Sequence, residues 1–196
     1  MNVPRWLPSF SSMDTLASWA ERLARALLQD PLPRRWAHVQ GVATQARNLA
    51  PVLGTDADLL EAAAWLHDIG YAPDLVTTGF HPLDGARHLR DARHADAMLC
   101  RLVAHHSCAA IEARERGLAD VLALEFEPAP DALSSALTYC DMTTSPDGEP
   151  VSADSRLAEI QDRYGPGHQV SRSIQRATPI ILRAVEQIQD RTTRIT

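Results

Sequence analysis

Apolar residues recur along this chain at intervals of three and four, the period of an α-helix rather than of a strand. In residues 13–29, MDTLASWAERLARALLQ, the residues Leu16, Trp19, Ala20, Leu23 and Leu27 form one stripe. Asp30-Pro31-Leu32-Pro33 ends it, because proline lacks an amide hydrogen and does not fit a helix interior. The pattern predicts a second helix over 34–53, closed by Gly54 in the role of a left-handed C-terminal residue. Thr55 or Asp56 is placed to cap a third helix, DADLLEAAAWLHD. That segment is apolar on several sides and so belongs at the centre of a bundle, with Gly70 ending it. Residues 71–80 read as a loop, and His81-Pro82 opens a fourth helix with proline in its first turn. A fifth helix is predicted over 95–106, and 107–127 contains another whose ends the pattern does not define. Pro128-Ala129-Pro130 breaks the chain, and Asp131 is placed to cap DALSSALTYCDMTT. A turn-rich loop at 145–153, a helix near 153–163, the turn Gly165-Pro166-Gly167-His168 and a last helix over most of 170–190 complete the pattern. Residues 1–12 read as an irregular lead-in. Strand alternation is absent, so the expected fold class is all-α, a helical bundle with short loops.

Composition supports this picture. The 196 residues, 45% of them hydrophobic, suit one domain with a sizeable core, and the low aromatic content of 5% beside abundant Ala, Leu and Arg favours helices. The net charge of −6 argues against a general nucleic-acid coat, although a few arginines can still line a phosphate pocket. Cys100, Cys108 and Cys140 are odd in number and lack CxxC spacing, so they read as ordinary reduced cysteines. The first twenty residues lack the continuous apolar region of a signal peptide, and no segment is apolar for long enough to cross a bilayer. The expectation is a soluble, cytoplasmic protein with no membrane partner.

The chemistry is concentrated in histidines and carboxylates. LHDIGY at 66–71 places His67 and Asp68 together at the end of the most apolar helix, where a carboxylate is costly to bury without a partner. Alone, the pair is explained by a loop-capping Asp68 and a satisfied core histidine. It is not alone. His38 shares a helix face with Val42 and Gln45-Ala46, His81 lies in FHPLDGARHL, His105-His106 lies in LVAHHS, and Asp141 follows TYC inside an apolar helix. A buried aspartate with no basic neighbour in sequence calls for a cation from elsewhere. Imidazole nitrogens and carboxylate oxygens together are good ligands for divalent metals, and without cysteine among them a closed structural zinc site is not expected.

The order His, His-Asp, His, His, Asp, carried by AHVQGVA, WLHDIGY, HPLDGARHL, VAHHS and TYCDMTT, resembles the HD-domain superfamily of metal-dependent phosphohydrolases over roughly residues 34–145. The resemblance implies a division into an N-terminal helical extension (1–30), an HD-type metal-binding core (31–145) and C-terminal helices packing on the same domain (146–196). It implies that His38, His67, Asp68 and Asp141 hold a primary metal, that His81 and His105 serve a second, and that Asp68 bridges the two. His106 is the alternative ligand to His105, and whichever is left over faces a substrate phosphate; Asp68 and His106 are the expected catalytic residues. HPLDGA also resembles the cyclic-di-GMP phosphodiesterase branch, but the GYP element of that branch is missing after His106, where SCAAIEARERG stands.

The implied activity is hydrolysis of a phosphate mono- or diester, of a nucleotide or related small molecule, by metal-activated water. The implied cofactor is one or two divalent transition metal ions, Mn, Fe, Co, Ni or Zn in preference to Mg. Arg34, Arg35, Arg101, Arg172 and Arg176 are candidate phosphate contacts. Asp68 or Asp84 is a candidate for orienting water or a ligand histidine, His168 reads as a turn residue, and His88 and His94 read as surface residues. The segment after Asp141 is expected to pack over the site and shape substrate choice. Two other readings fit the same residues: a nucleotide-sensing metal-binding module without turnover, and a di-iron oxygenase of the same helical layout.

Overall fold

The computed structural model describes residues 15–194, and the statements below concern these. The lead-in over 1–12 and the first two residues of the first expected helix lie outside them. The chain forms α1 (Leu16–Leu28), α2 (Pro33–Asn48), the single turn α3 (Ala50–Leu53), α4 (Ala57–Leu66), α5 (His81–Arg93), α6 (Ala97–His105), α7 (Ala109–Glu115), α8 (Ala119–Glu125), α9 (Asp131–Met142), α10 (Ala153–Tyr164) and α11 (Gln169–Thr193). Among the described residues the only β pairing is an isolated bridge between Thr144 and Pro150. The protein is all-α, as its hydrophobic period predicts.

The central helix is α4, with α1, α2, α6 and α9 packed around it. Ala62, Ala63 and Ala64 are fully buried there, and these small side chains let neighbouring helices approach closely. The Thr15 hydroxyl caps α1 by accepting from the Ser18 amide. The Asp58 carboxylate of α4 accepts from the amides of Leu16 and Ala17 at 3.0 and 3.1 Å, which ties the first helix to the centre. Helices α10 and α11 pack against each other, and α11 also lies on α9 and α7. A second apolar cluster of Met142, Leu157, Ile160, Ala177 and Ile181 fills the space between them. None of the described helices is long and apolar enough to cross a membrane.

Several boundaries differ from the sequence expectation, each for a local reason. The helix expected over 34–53 divides at Leu49 into α2 and α3, because Pro51 has no amide to donate to the preceding turn. The 107–127 segment forms two short helices, α7 and α8, rather than one. Neither Asp56 nor Asp131 makes the side-chain cap predicted for it. Asp131 instead lies in the first turn of α9, where a carboxylate still opposes the helix dipole favourably. The 71–80 loop is compact, with short 3₁₀ turns at Ile69–Tyr71 and Pro73–Leu75.

Candidate metal centre

Two close backbone approaches bring the predicted residues together. Gly70, just after the His67-Asp68 pair, lies against the start of α5. A Cβ on Gly70 would fall 2.0 Å from the carbonyl oxygen of His81 and 2.7 Å from the amide nitrogen of Gly85. Only glycine permits this contact, and it sets His81 beside Asp68. On the opposite side, Gly148 takes φ +86°, and a Cβ there would meet the Ala37 carbonyl oxygen at 2.4 Å. The 145–148 turn is thereby laid on α2, so that the Ser145 carbonyl accepts from His38 Nδ1 at 2.9 Å.

Three histidines share one hydrogen-bonding arrangement. Nδ1 of His38, His67 and His106 lies 2.9, 2.8 and 2.7 Å from the carbonyl oxygens of Ser145, Ala64 and Val103 respectively. A carbonyl only accepts, so each Nδ1 must donate, and in the neutral ring the lone pair is left on Nε2. All three Nε2 atoms then point at the same buried carboxylates. His38 Nε2 is 3.1 Å from Asp141 Oδ1, and His67 Nε2 is 4.0 Å from the same oxygen. His106 Nε2 is 3.1 Å from His81 Nε2, and His81 Nε2 is 3.2 Å from Asp68 Oδ1.

Asp68 lies between the two groups. Its Oδ2 is 3.4 Å from His67 Nε2 and 3.8 Å from His38 Nε2, while its Oδ1 faces His81 at 3.2 Å and His106 at 3.8 Å. The side chains form two triads, His38–His67–Asp141 and Asp68–His81–His106. In each triad the ligand atoms lie within 4.8 Å of one another.

The residues present fit a metal. His38, His67, Asp68, His106 and Asp141 are all buried, and His67 Nε2 is a buried nitrogen with no hydrogen-bond partner. An orphaned imidazole lone pair facing carboxylate oxygens is an electrostatic conflict that a divalent cation removes. Nδ1 bonds to backbone carbonyls are the usual way a protein fixes the tautomer of a ligating histidine. Burial opposes charge on Asp68, yet the Arg35 guanidinium beside it holds its carboxyl well below the usual range. Burial, with His81 and His67 beside it, pushes His106 down to about 3, so its ring is a neutral donor atom at ordinary pH.

Around the triads, the Arg35 guanidinium contacts Asp68 Oδ2 at 2.6 Å and lies 4.2 Å over the Tyr71 ring. Tyr71 in turn stacks on His81 with centroids 4.0 Å apart. Ser107 has φ +47° and Cys108 φ +64°, two consecutive left-handed residues that turn the chain sharply after α6. The turn aims His106 inward and lets the Ser107 hydroxyl donate to Asp141 Oδ2.

The ligand expectation for His105 is corrected. Its Nε2 donates to the Phe126 carbonyl at 2.8 Å, away from both triads, and His106 occupies the place in the cluster. The helix ends between the two residues, and the direction of that turn is not written in helical periodicity. Of the candidate phosphate contacts, only Arg35 reaches the cluster. Arg34 pairs with Asp147, Arg101 donates to the carbonyls of Glu127 and Pro128, and Arg172 and Arg176 pair with Glu115. Asp84 accepts from Thr77, Thr78 and Gly79 and so holds the loop that leads into His81. His168 caps α11 and stacks on Tyr164. His88 is half-buried rather than exposed, and His94 is the exposed left-handed residue after α5.

Sequence reasoning missed Arg156 and Arg163, which line the cavity over the triads together with Ile160 and Tyr164 of the same helix. The positions 156, 160, 163 and 164 fall on one helical face, which is the signal that could have found them.

A helical bundle whose core carries two adjoining triads of imidazole and carboxylate is an all-α protein with a candidate dinuclear metal centre. Residues 35–165 match the HD domain, and the chain belongs to the HD domain family. It is also similar to Ribonuclease Y of Rhodopirellula baltica, 38% identical over 69 residues. That match covers 35% of this chain and spans only 13% of the relative's length. No solved structure is a significant match.

Proposed function

We propose that this protein is a metal-dependent phosphohydrolase acting on a small phosphate ester, with nucleotides the leading substrate class. The observation that carries this reading is the position of Asp68, whose two oxygens face different histidine groups. A carboxylate so placed can be shared by two ions. Bound divalent metals neutralise an anionic phosphate ester and lower the pKa of water to around 7. His38, His67 and Asp141 would hold one ion, His81 and His106 the other, with Asp68 common to both. The backbone carbonyls of Ser145, Ala64 and Val103 keep three of these rings in the ligating tautomer. Ser107 orients Asp141 through its second oxygen. Arg35, which pairs with Asp68 here, is near enough to contact an arriving phosphate once a cation takes over that carboxylate. The similarity to a ribonuclease is compatible with phosphate ester chemistry, but the matched part is a small fraction of that protein.

The test is metal content by elemental analysis together with phosphate release from a nucleotide panel and a generic phosphodiester, with Mn added. About two ions per chain with hydrolysis is the expected result. Asp68→Ala should lose both metal binding and turnover, and His81→Ala should lose one ion while keeping the other. Full activity in Asp68→Ala would sink the proposal.

A further inference from the structure

The cavity above the triads is small, about 90 Å³. One wall is α10. Arg156 is only 5% exposed and lines the cavity, and its Nε is buried with no hydrogen-bond partner. Arg163, two turns further along the same face, lines it too. Both guanidiniums are gripped by Glu159, which does not itself line the cavity; Arg163 Nε donates to Glu159 Oε1 at 2.8 Å and an Arg156 terminal nitrogen donates to Oε2.

The geometry is unusual for a structural ion pair. Two cations share the one carboxylate of Glu159, and the Arg156 Nε is left without a partner. A buried arginine with an unused donor is costly unless something anionic completes its hydrogen bonds. Met142, Ile160, Val170 and Ile174 add apolar lining beside the two arginines. Arg156 lines the same cavity as Asp68, His106 and Asp141, which places the guanidinium beside the candidate metal centre.

We propose that Arg156 and Arg163 form the phosphate anchor of this site, a specificity-determining pair supplied by α10 and held in place from behind by Glu159. The anchor takes the non-bridging oxygens of a phosphate in the cavity, and the remainder of the substrate lies at the mouth beside Tyr164. This rests on the phosphohydrolase reading and gives α10 its part in substrate choice.

The experiment is calorimetric titration of inorganic phosphate into the full, Mn-loaded protein, with metal content measured in parallel. Arg156→Gln and Arg163→Gln should each weaken phosphate binding about tenfold or more, the loss expected for a charge-assisted hydrogen bond. Metal content should stay at the wild-type level. Arg156→Lys should recover part of the affinity, because it restores the charge without the fork. In hydrolysis the Gln variants should raise KM more than they lower kcat. Arg156 is buried, so Arg163→Gln, on the more open side, carries the test if Arg156→Gln fails to fold. Phosphate affinity unchanged in a folded, metal-loaded Arg163→Gln or Arg156→Gln overturns the anchor while leaving hydrolysis intact as evidence for the broader reading. Absence of phosphate binding in the wild-type protein also overturns it.

Discussion

Replacing Gly70 by alanine adds one methyl group at the crossing that sets the His67-Asp68 turn against α5. The added Cβ would lie 2.0 Å from the His81 carbonyl oxygen, 2.7 Å from the Gly85 nitrogen and 2.8 Å from the His81 carbonyl carbon. An ordinary carbon–oxygen contact is about 3.3 Å, so the carbonyl must retreat by roughly 1.3 Å. All three obstructing atoms are backbone, so no side chain can swing aside. Overpacking of this kind costs about 1–3 kcal/mol, and rigid backbone on both sides argues for the upper end. For a chain of this size, about 3 kcal/mol lowers Tm by roughly 6–12 °C. The same retreat carries His81 away from Asp68, from which its Nε2 is 3.2 Å distant. A ligand displaced by about 1 Å costs on the order of 100-fold in a rate that depends on its position. Thermal denaturation measures the first effect, and metal stoichiometry with phosphate release measures the second. A Gly70→Ala protein with the wild-type Tm and the wild-type metal content would refute the claim that this crossing builds the site.

Three further outcomes are expected. His106→Ala should lose metal and activity, whereas His105→Ala should keep both and pay only in stability through the lost bond to Phe126; equal losses in the two would reverse their assignment. Ser107→Ala should leave the metal ligands in place and weaken metal affinity by about tenfold, the effect of removing a group that orients a ligating carboxylate, and an unchanged affinity would remove Ser107 from the site. The Asp84 pKa is depressed: burial opposes charge there, and the hydroxyls and amides of Thr77 and Thr78 outweigh it. Its stabilising contribution is therefore present above the unfolded aspartate pKa of about 3.9 and is lost as pH falls through the folded value. Asp84→Asn should be less stable at neutral pH and should lose less of its stability than the wild type between pH 5 and lower values, as followed by denaturant unfolding; parallel pH profiles would show that Asp84 holds no such role.

The helical class and the identity of most cluster residues were legible in the sequence, because each depends on local information. Period-three-and-four apolar spacing requires a helix, and the pairing of a histidine and an aspartate at the end of the most apolar helix requires a partner for the buried charge. His38, His67, Asp68, His81 and Asp141 do converge. What periodicity could not supply was direction at the breaks. His105 and His106 are adjacent, and which faces inward is decided by two left-handed residues after α6 that no hydrophobic pattern marks. The bonds of Asp84 to Thr77, Thr78 and Gly79 were likewise not legible, since those amides and hydroxyls become available only when the 77–79 loop folds back over α5.

The arginines show the same division more sharply. Arg34, Arg101, Arg172 and Arg176 looked as suited to phosphate as Arg35, and a guanidinium carries the same chemistry wherever it sits. Their carboxylate and carbonyl partners are distant in sequence in most cases, Arg34 with Asp147 and Arg172 with Glu115 among them, so only the packed fold could assign them elsewhere. Arg156 and Arg163 gained their place because α10 packs over the cluster, a contact made by burying Leu157 and Ile160 against α11 and Met142. The amino-acid sequence by itself determined most of the helices and most of the clustered histidines and aspartates, since both follow from the residues and their local spacing. Which ring nitrogen faces which oxygen, and which cations overlook them, was decided only by tertiary structure, because those distances are set by backbone crossings between segments far apart in the chain.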